Sequence, residues 1–164
     1  MHNRDYMDLG RLMDQIFQAT ETFTNSFGDF GFQFQKDAEH RNYYSVYPFP
    51  PANIYMLPDK TMVFEFALAG YQDSDITLEF QGEYMVLSAT APEQSLDGEE
   101  VIFFNRRLKF KNIPEQKYFV PEDKFDREAA KAVYRNGILK VTIPPRDEVR
   151  NPQGVKIEIV NEDT

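Results

Sequence analysis

The chain has no cysteine, no tryptophan and only two histidines, His2 and His40. Without cysteine there can be no disulfide, no thiolate zinc site and no thiol nucleophile. That usage fits a reducing compartment. Two histidines near the N-terminus leave little for imidazole ligation or acid–base work. Positive charge is also scarce, with 18 basic residues against 27 acidic ones and a net charge of −9. Phosphate backbones and anionic membranes both call for a basic patch, so neither nucleic acid nor membrane is an expected partner. No apolar run approaches the ~18 residues of a membrane-spanning helix. No apolar stretch follows Met1 to Asp8 to serve as the core of a signal peptide, and the expected location is the cytoplasm. Neither G-x-x-x-x-G-K-S/T nor G-x-G-x-x-G occurs, so no nucleotide or other cofactor is expected.

Acidic pairs do occur, at Glu99-Glu100, Asp73/Asp75 and Glu122-Asp123. Glycoside hydrolysis needs two carboxyls facing each other across a cleft, whereas neighbouring acids in loops are solvated charge. Asp73-x-Asp75 lacks the further ligands of a calcium loop. Arg106, Arg107, Lys109 and Lys111 alternate with apolar residues as the polar face of a strand does. The chain is expected to be neither an enzyme nor a metal protein.

The 164 residues are 41% hydrophobic and 15% aromatic, with 15 Phe and 9 Tyr. That suits one domain with a short arm on either side. Residues 1–47 read as the N-terminal arm. Leu9, Leu12, Met13, Ile16, Phe17 and Thr20 recur at helical spacing, predicting an amphipathic helix from about Asp8 to Phe23. Gly28 and Gly31 break the pattern that follows. Phe17, Phe23, Phe27, Phe30, Phe32 and Phe34 crowd into this arm with little else to make a core. Either the arm packs on its own domain or it is adhesive surface, mobile or buried between subunits. Asp37 to Tyr47 reads as a linker, closed by Pro48-Phe-Pro-Pro51.

Residues 48–146 read as β throughout. Strands are expected over Ala52 to Leu57, Thr61 to Ala69, Ile76 to Phe80, Tyr84 to Ala89, Ala129 to Arg135 and Ile138 to Ile143. Another segment, mixed in character, runs from Val101 to Ile113. Met62, Phe64, Phe66 and Leu68 share one face, as do Ile76, Leu78 and Phe80. Asn136-Gly137 between two apolar runs signals a two-residue hairpin, because both turn positions favour φ > 0. Pro144-Pro145 stops the last strand. Seven or so short strands without long helices between them predict an all-β, immunoglobulin-like sandwich. Residues 147–164 read as a flexible extension carrying the alternating segment Val155-Lys-Ile-Glu-Ile159. An isolated strand on a tether must pair with a sheet edge, in its own chain or a neighbour's.

These residues resemble the small heat shock proteins. Ala132-Val-Tyr-Arg-Asn-Gly-Ile-Leu139, continuing to Pro144, is similar to that family's A-x-x-x-N-G-V/I-L signature. Leu68-Ala-Gly70 followed by Asp75-Ile76-x-Leu78 is similar to its L-P-G…D-I-x-V segment, with Ala69 in place of Pro. Ile157-Glu-Ile159 resembles its C-terminal I-x-I motif. The three occur in the family's order and spacing.

The resemblance implies an α-crystallin domain and an ATP-independent holdase that keeps partly unfolded clients from aggregating. It implies a homodimer that assembles into a larger homo-oligomer. Ile157 and Ile159 would anchor the tail in a groove between the strands around Ile76–Phe80 and Ala129–Tyr134, lined by Leu78, Phe80 and Val133. Clients would meet Leu12, Met13, Ile16, Phe17, Phe23, Phe27, Phe30, Phe32 and Phe34. The dimer contact would involve Val101, Ile102, Phe103, Phe104 and Arg106. Two dimer forms stand open. In one, Val101–Phe104 is an exchanged strand. In the other, it runs on through Arg106–Phe110 as one long strand, with Arg106 at the interface as in animal members. Arg106 and Arg107 can also be plain solvated charges. The alternative to a holdase is a monomeric β-sandwich co-chaperone adaptor, which needs neither the Phe-rich arm nor the I-x-I tail. A third reading is an assembly protein that uses its tail only to polymerise.

Overall fold

Alternation of apolar and polar residues over short segments yields two antiparallel sheets whose apolar faces meet. A computed structural model describes residues 47–93, 96 and 100–147, with residues 10, 11, 13, 14, 16 and 17. It contains strands β1 (Ala52–Met56), β2 (Met62–Ala67), β3 (Ile76–Gln81), β4 (Tyr84–Ala89), β5 (Ile113–Phe119), β6 (Lys131–Arg135) and β7 (Ile138–Ile143). One sheet has the order β1-β2-β7-β6 and the other β3-β4-β5.

The register follows the pattern of apolar side chains. Phe64 pairs with Val141 and Phe66 with Leu139, and all four are buried. In the second sheet Leu78 pairs with Leu87 and Phe80 with Met85. Tyr118 of β5 joins the two layers, with its ring 5.6 Å from Phe64 and 5.3 Å from Phe66. Its hydroxyl donates to Gln116 Oε1 at 3.0 Å, and Gln116 Nε2 donates to the Phe49 carbonyl at 2.7 Å. The buried amide is thereby satisfied, as an interior polar group must be. Burial, and then the neighbouring Tyr47, push the Tyr118 phenol well above its ordinary range.

The β6–β7 hairpin turns at Asn136 (φ 54°) and Gly137 (φ 76°), the left-handed pair that the Asn-Gly signal demands. Strand β7 stops at Ile143, ahead of Pro144. Gly70 also has positive φ, +92°, and a Cβ there would collide with the Phe110 ring. That ring lies edge-on to Tyr71 at 5.9 Å. The Tyr71 hydroxyl donates to the Lys111 carbonyl at 2.5 Å and accepts from the Lys111 amide at 2.9 Å. Gly70 thus lets the returning loop close on the sandwich. Gly70→Ala is expected to lower unfolding free energy by about 1–3 kcal/mol, through crowding and backbone strain together. A urea midpoint unchanged from the parent would refute that account.

Three expectations need correction. Residues 101–112 contain no strand; they are irregular and lie outside both sheets. The third strand of the second sheet is β5 instead, a segment whose sequence hides its alternation. Tyr47, expected in the linker, belongs to the sandwich. Its hydroxyl accepts from the Lys117 amide at 3.0 Å, and its ring sits 5.6 Å from Tyr118.

Within the arm the six described residues are helical. Met13, Ile16 and Phe17 join the core cluster of the sandwich. Phe17 meets Phe125 edge-on at 5.2 Å, and Asp14 pairs with Lys124 at 2.7 Å. Lys60 Nζ lies 5.6 Å from the centre of the Phe17 ring. Burial disfavours the Lys124 charge, but hydrogen bonds to Asp14 and Asp123 outweigh it and leave its pKa raised.

Candidate functional site

Among the described residues, two surfaces of the sandwich stand out. The first lies where the sheets end side by side. Strands β3 and β6 are each the outer strand of a sheet. Two contacts link the segments around them. The Arg127 guanidinium lies 5.1 Å from the centre of the Phe80 ring. The Tyr134 hydroxyl bonds the carbonyls of Leu68 at 2.6 Å and Tyr71 at 2.7 Å, just ahead of β3. On β3, Ile76, Leu78 and Phe80 face inward and are half-buried, while Thr77, Glu79 and Gln81 are exposed. An edge strand with a half-open apolar face and unpaired backbone groups is a template for one more strand.

Leu78 and Phe80 lie half-buried on this outer strand, on the face it turns inward. Val133, expected beside them, does not face inward. It pairs with Lys140 and shares that residue's outward face, 58% exposed. Tyr134 pairs with the buried Leu139, so it is Tyr134, with Ala132, that faces the gap. The signal was available, because the two-residue hairpin turn sets Tyr134 opposite Leu139 and fixes the parity of the strand. Ile76 was recognisable as in phase with Leu78. Arg127 carried no sequence signal, since it sits in a loop between Asp126 and Glu128.

The second surface is the irregular segment 101–109. Ile102 is 86% and Phe104 99% exposed, and Val101, Phe103 and Leu108 are exposed too. Arg106 caps the Phe103 ring at 4.4 Å. Five large apolar side chains within eight residues make a patch that a solitary soluble domain rarely presents. The segment is anchored at its far end by Phe110 and Lys111.

The remaining site residues divide simply. Met13, Ile16 and Phe17 are buried against the sandwich, so they offer no free surface in this arrangement. Leu12, Phe23, Phe27, Phe30, Phe32, Phe34, Ile157 and Ile159 lie outside the described residues. Among the described residues no cluster of His, Asp or Glu is grouped to hold a metal ion. No described helix is long and apolar enough to cross a membrane.

With this geometry in hand, the likenesses to known proteins are specific. The model of the Hsp20/alpha crystallin family matches residues 55–160, from β1 through the tail motif. A probable 15 kDa heat shock protein of Leptospira interrogans is 26% identical over 110 residues, covering 67% of this chain and 72% of that protein. Among solved structures, a small heat-shock protein from Xylella fastidiosa superposes with a TM-score of 0.54 at 19% identity, covering 68% of this chain and 96% of that one. Heat shock protein 16.0 from Schizosaccharomyces pombe gives 0.51 at 17% identity, covering 69% and 97%. The sandwich is an α-crystallin domain, and the chain belongs to the Hsp20/alpha crystallin family, the small heat shock chaperones.

Proposed function

We infer that this chaperone is an ATP-independent cytoplasmic holdase, a homodimer that assembles further through its tail and binds partly unfolded clients. The observation that carries the reading is the family match over residues 55–160, which takes in both the open strand edges and Ile157–Ile159. Unfolding proteins present apolar side chains and unpaired strands. The arm residues Phe23, Phe27, Phe30, Phe32 and Phe34 supply apolar area among glycine and polar residues, a composition that adapts to many surfaces. Each Phe side chain buried against a client is worth roughly 1.5–3 kcal/mol, so several together hold a client after ordering costs. Met13, Ile16 and Phe17 would join them only after leaving the core cluster of the sandwich. A net charge of −9 keeps the loaded complex dispersed. The tail would dock along β3 and β6, with Leu78 and Phe80 receiving the two isoleucines, and Val101–Phe104 would meet the dimer partner.

The test is a thermolabile enzyme heated with the full chain and no nucleotide, followed by light scattering. Aggregation is expected to be suppressed near equimolar chain. Replacing the five arm phenylalanines by serine is expected to abolish most of that protection. Unaltered client aggregation with the parent chain would overturn the holdase reading.

A further inference from the structure

The arm helix rests on a seat that the sandwich builds from its own backbone. Lys124 and Phe125 follow Pro121, whose carbonyl accepts from both of their amides at 3.2 Å. The Lys124 carbonyl accepts from the Arg146 amide at 2.9 Å, and the Asp126 amide donates to the Pro144 carbonyl at 2.9 Å. Phe125 also forms a β-bridge with Pro145. Lys60 comes from a different loop, the turn between β1 and β2, where its amide donates to the Leu57 carbonyl at 2.8 Å. The seat is thus a phenylalanine floor with a lysine from each of two loops, and none of these backbone bonds involves the arm.

The arm shows what such a seat accepts. Met13, Ile16 and Phe17 stand at i, i+3 and i+4, one face of a helix, and all three join the core cluster. Phe17 lies edge-on to Phe125, with Lys60 Nζ over its ring. Asp14, at i+1, reaches Lys124 Nζ at 2.7 Å. The carboxylate is 54% exposed and the Lys124 side chain only 16%, so the acid sits at the rim and the cation in the wall. These contacts ask for a pattern rather than a particular sequence: three apolar side chains on one helical face and an acid beside the first. Amphipathic helices present such faces, and unfolding proteins uncover them. When Met13, Ile16 and Phe17 leave to meet a client, Phe125 loses its cover. Lys124 then keeps Asp123, at 3.3 Å, as its one ion-pair partner among the described residues. A helix with a basic residue at i+1 would meet Lys124 with like charge, which selects against it.

We propose that the seat around Phe125 and Lys124 is an exchangeable client site: once the arm helix is withdrawn, it takes a client's amphipathic helix with apolar residues at i, i+3 and i+4 and an acid at i+1. That role rests on the holdase reading and names one class of client for it. The probes are two labelled synthetic helical peptides, unrelated to the arm in sequence. Both carry leucine at i, i+3 and i+4, and they differ only in glutamate or lysine at i+1. Binding to the full-length chain is read by fluorescence anisotropy. The seat is opened in two ways, by Ile16→Ser with Phe17→Ser or by Asp14→Lys, so that loss of fold in one variant leaves the other. The opened chains are expected to bind the glutamate peptide more tightly than the parent does. They should also prefer it to the lysine peptide by about tenfold, the ratio one charge-assisted hydrogen bond supplies. Adding Lys124→Glu should invert that preference. A folded, opened chain that binds the glutamate peptide no more tightly than the parent would overturn the proposal. So would equal binding of the two peptides, or a preference for glutamate that survives Lys124→Glu. The holdase reading is judged separately, by whether the parent chain suppresses client aggregation.

Discussion

Ile157→Ala combined with Ile159→Ala is expected to reduce the assembly to dimers, as measured by light scattering behind size-exclusion chromatography. The physical ground is that the tail brings only two large side chains in phase, and the open edge is only one strand wide on each side. Each isoleucine buried between Leu78, Phe80 and Tyr134 contributes roughly 1.5–3 kcal/mol. Losing most of both weakens each tail contact by about two to four orders of magnitude. The backbone pairing that remains exchanges protein–water for protein–protein hydrogen bonds and adds little net affinity. Nine residues lie between Asp147, the last described residue, and Ile157. Fully extended, those ten steps span about 35 Å, enough to reach a neighbouring subunit. If the tail docks on a neighbouring subunit, the unfolding midpoint of the sandwich should not move. An assembly of unchanged mass would place the subunit contacts elsewhere and sink the docking account.

Much of this architecture was legible because local rules and tertiary structure agree. Strand β4 coincides with its expected span, Tyr84 to Ala89, because it is the central strand of its sheet and its inward residues Met85, Leu87 and Ala89 are all buried. Strand β7 likewise follows from the Asn136-Gly137 turn on one side and Pro144 on the other. Strand β5 was illegible for an identifiable reason. Its register with β4 shifts between Leu87 and Ala89, so Ile113, Gln116 and Tyr118 all face inward although their spacing breaks period two. Pro114 in the same stretch argues against a strand, yet β5 is the outer strand of its sheet, where proline is tolerated. The buried Gln116 conceals the pattern further, since its role depends on the Phe49 carbonyl and the Tyr118 hydroxyl, both fixed only by tertiary structure.

The two open surfaces differ in the same way. Half of the groove could be read from β3, whose alternation is clean. The β6 wall was displaced by one residue, from Tyr134 to Val133, because hydrophobicity favours valine while the hairpin register favours tyrosine. Register takes precedence, since a one-residue slip would turn every side chain of the strand. Arg127 became visible only when the loop was folded against Phe80. For residues 101–112 the apolar sequence suggested a strand, but a strand needs a partner, and the segment pairs with neither sheet.

That unmet need leads to the second large effect. Ile102→Asp combined with Phe104→Asp is expected to convert the dimer to a monomer. These are the two most exposed large apolar side chains described, at 86% and 99%. In a symmetric contact each is buried twice, so four side chains contribute, roughly 6–12 kcal/mol before association costs. Four buried carboxylates without partners would reverse the sign of that contribution. Within one chain the substitutions touch nothing in the core, because neither side chain reaches the sandwich, and Phe110 and Lys111 still anchor the segment to Gly70 and Tyr71. The monomer should therefore keep the parent's β-sheet circular dichroism, while its mass by light scattering halves relative to the tail variant. Both dimer forms, an exchanged strand or one long antiparallel strand, use these positions, so either predicts the same loss. They part at Arg106, which matters for the long-strand contact and not for the exchanged one. Arg106→Ala should weaken dimerisation only in the former case. A dimer that survives both aspartates would show that the interface lies outside residues 101–104, and the exposed patch would then be left as a surface for clients.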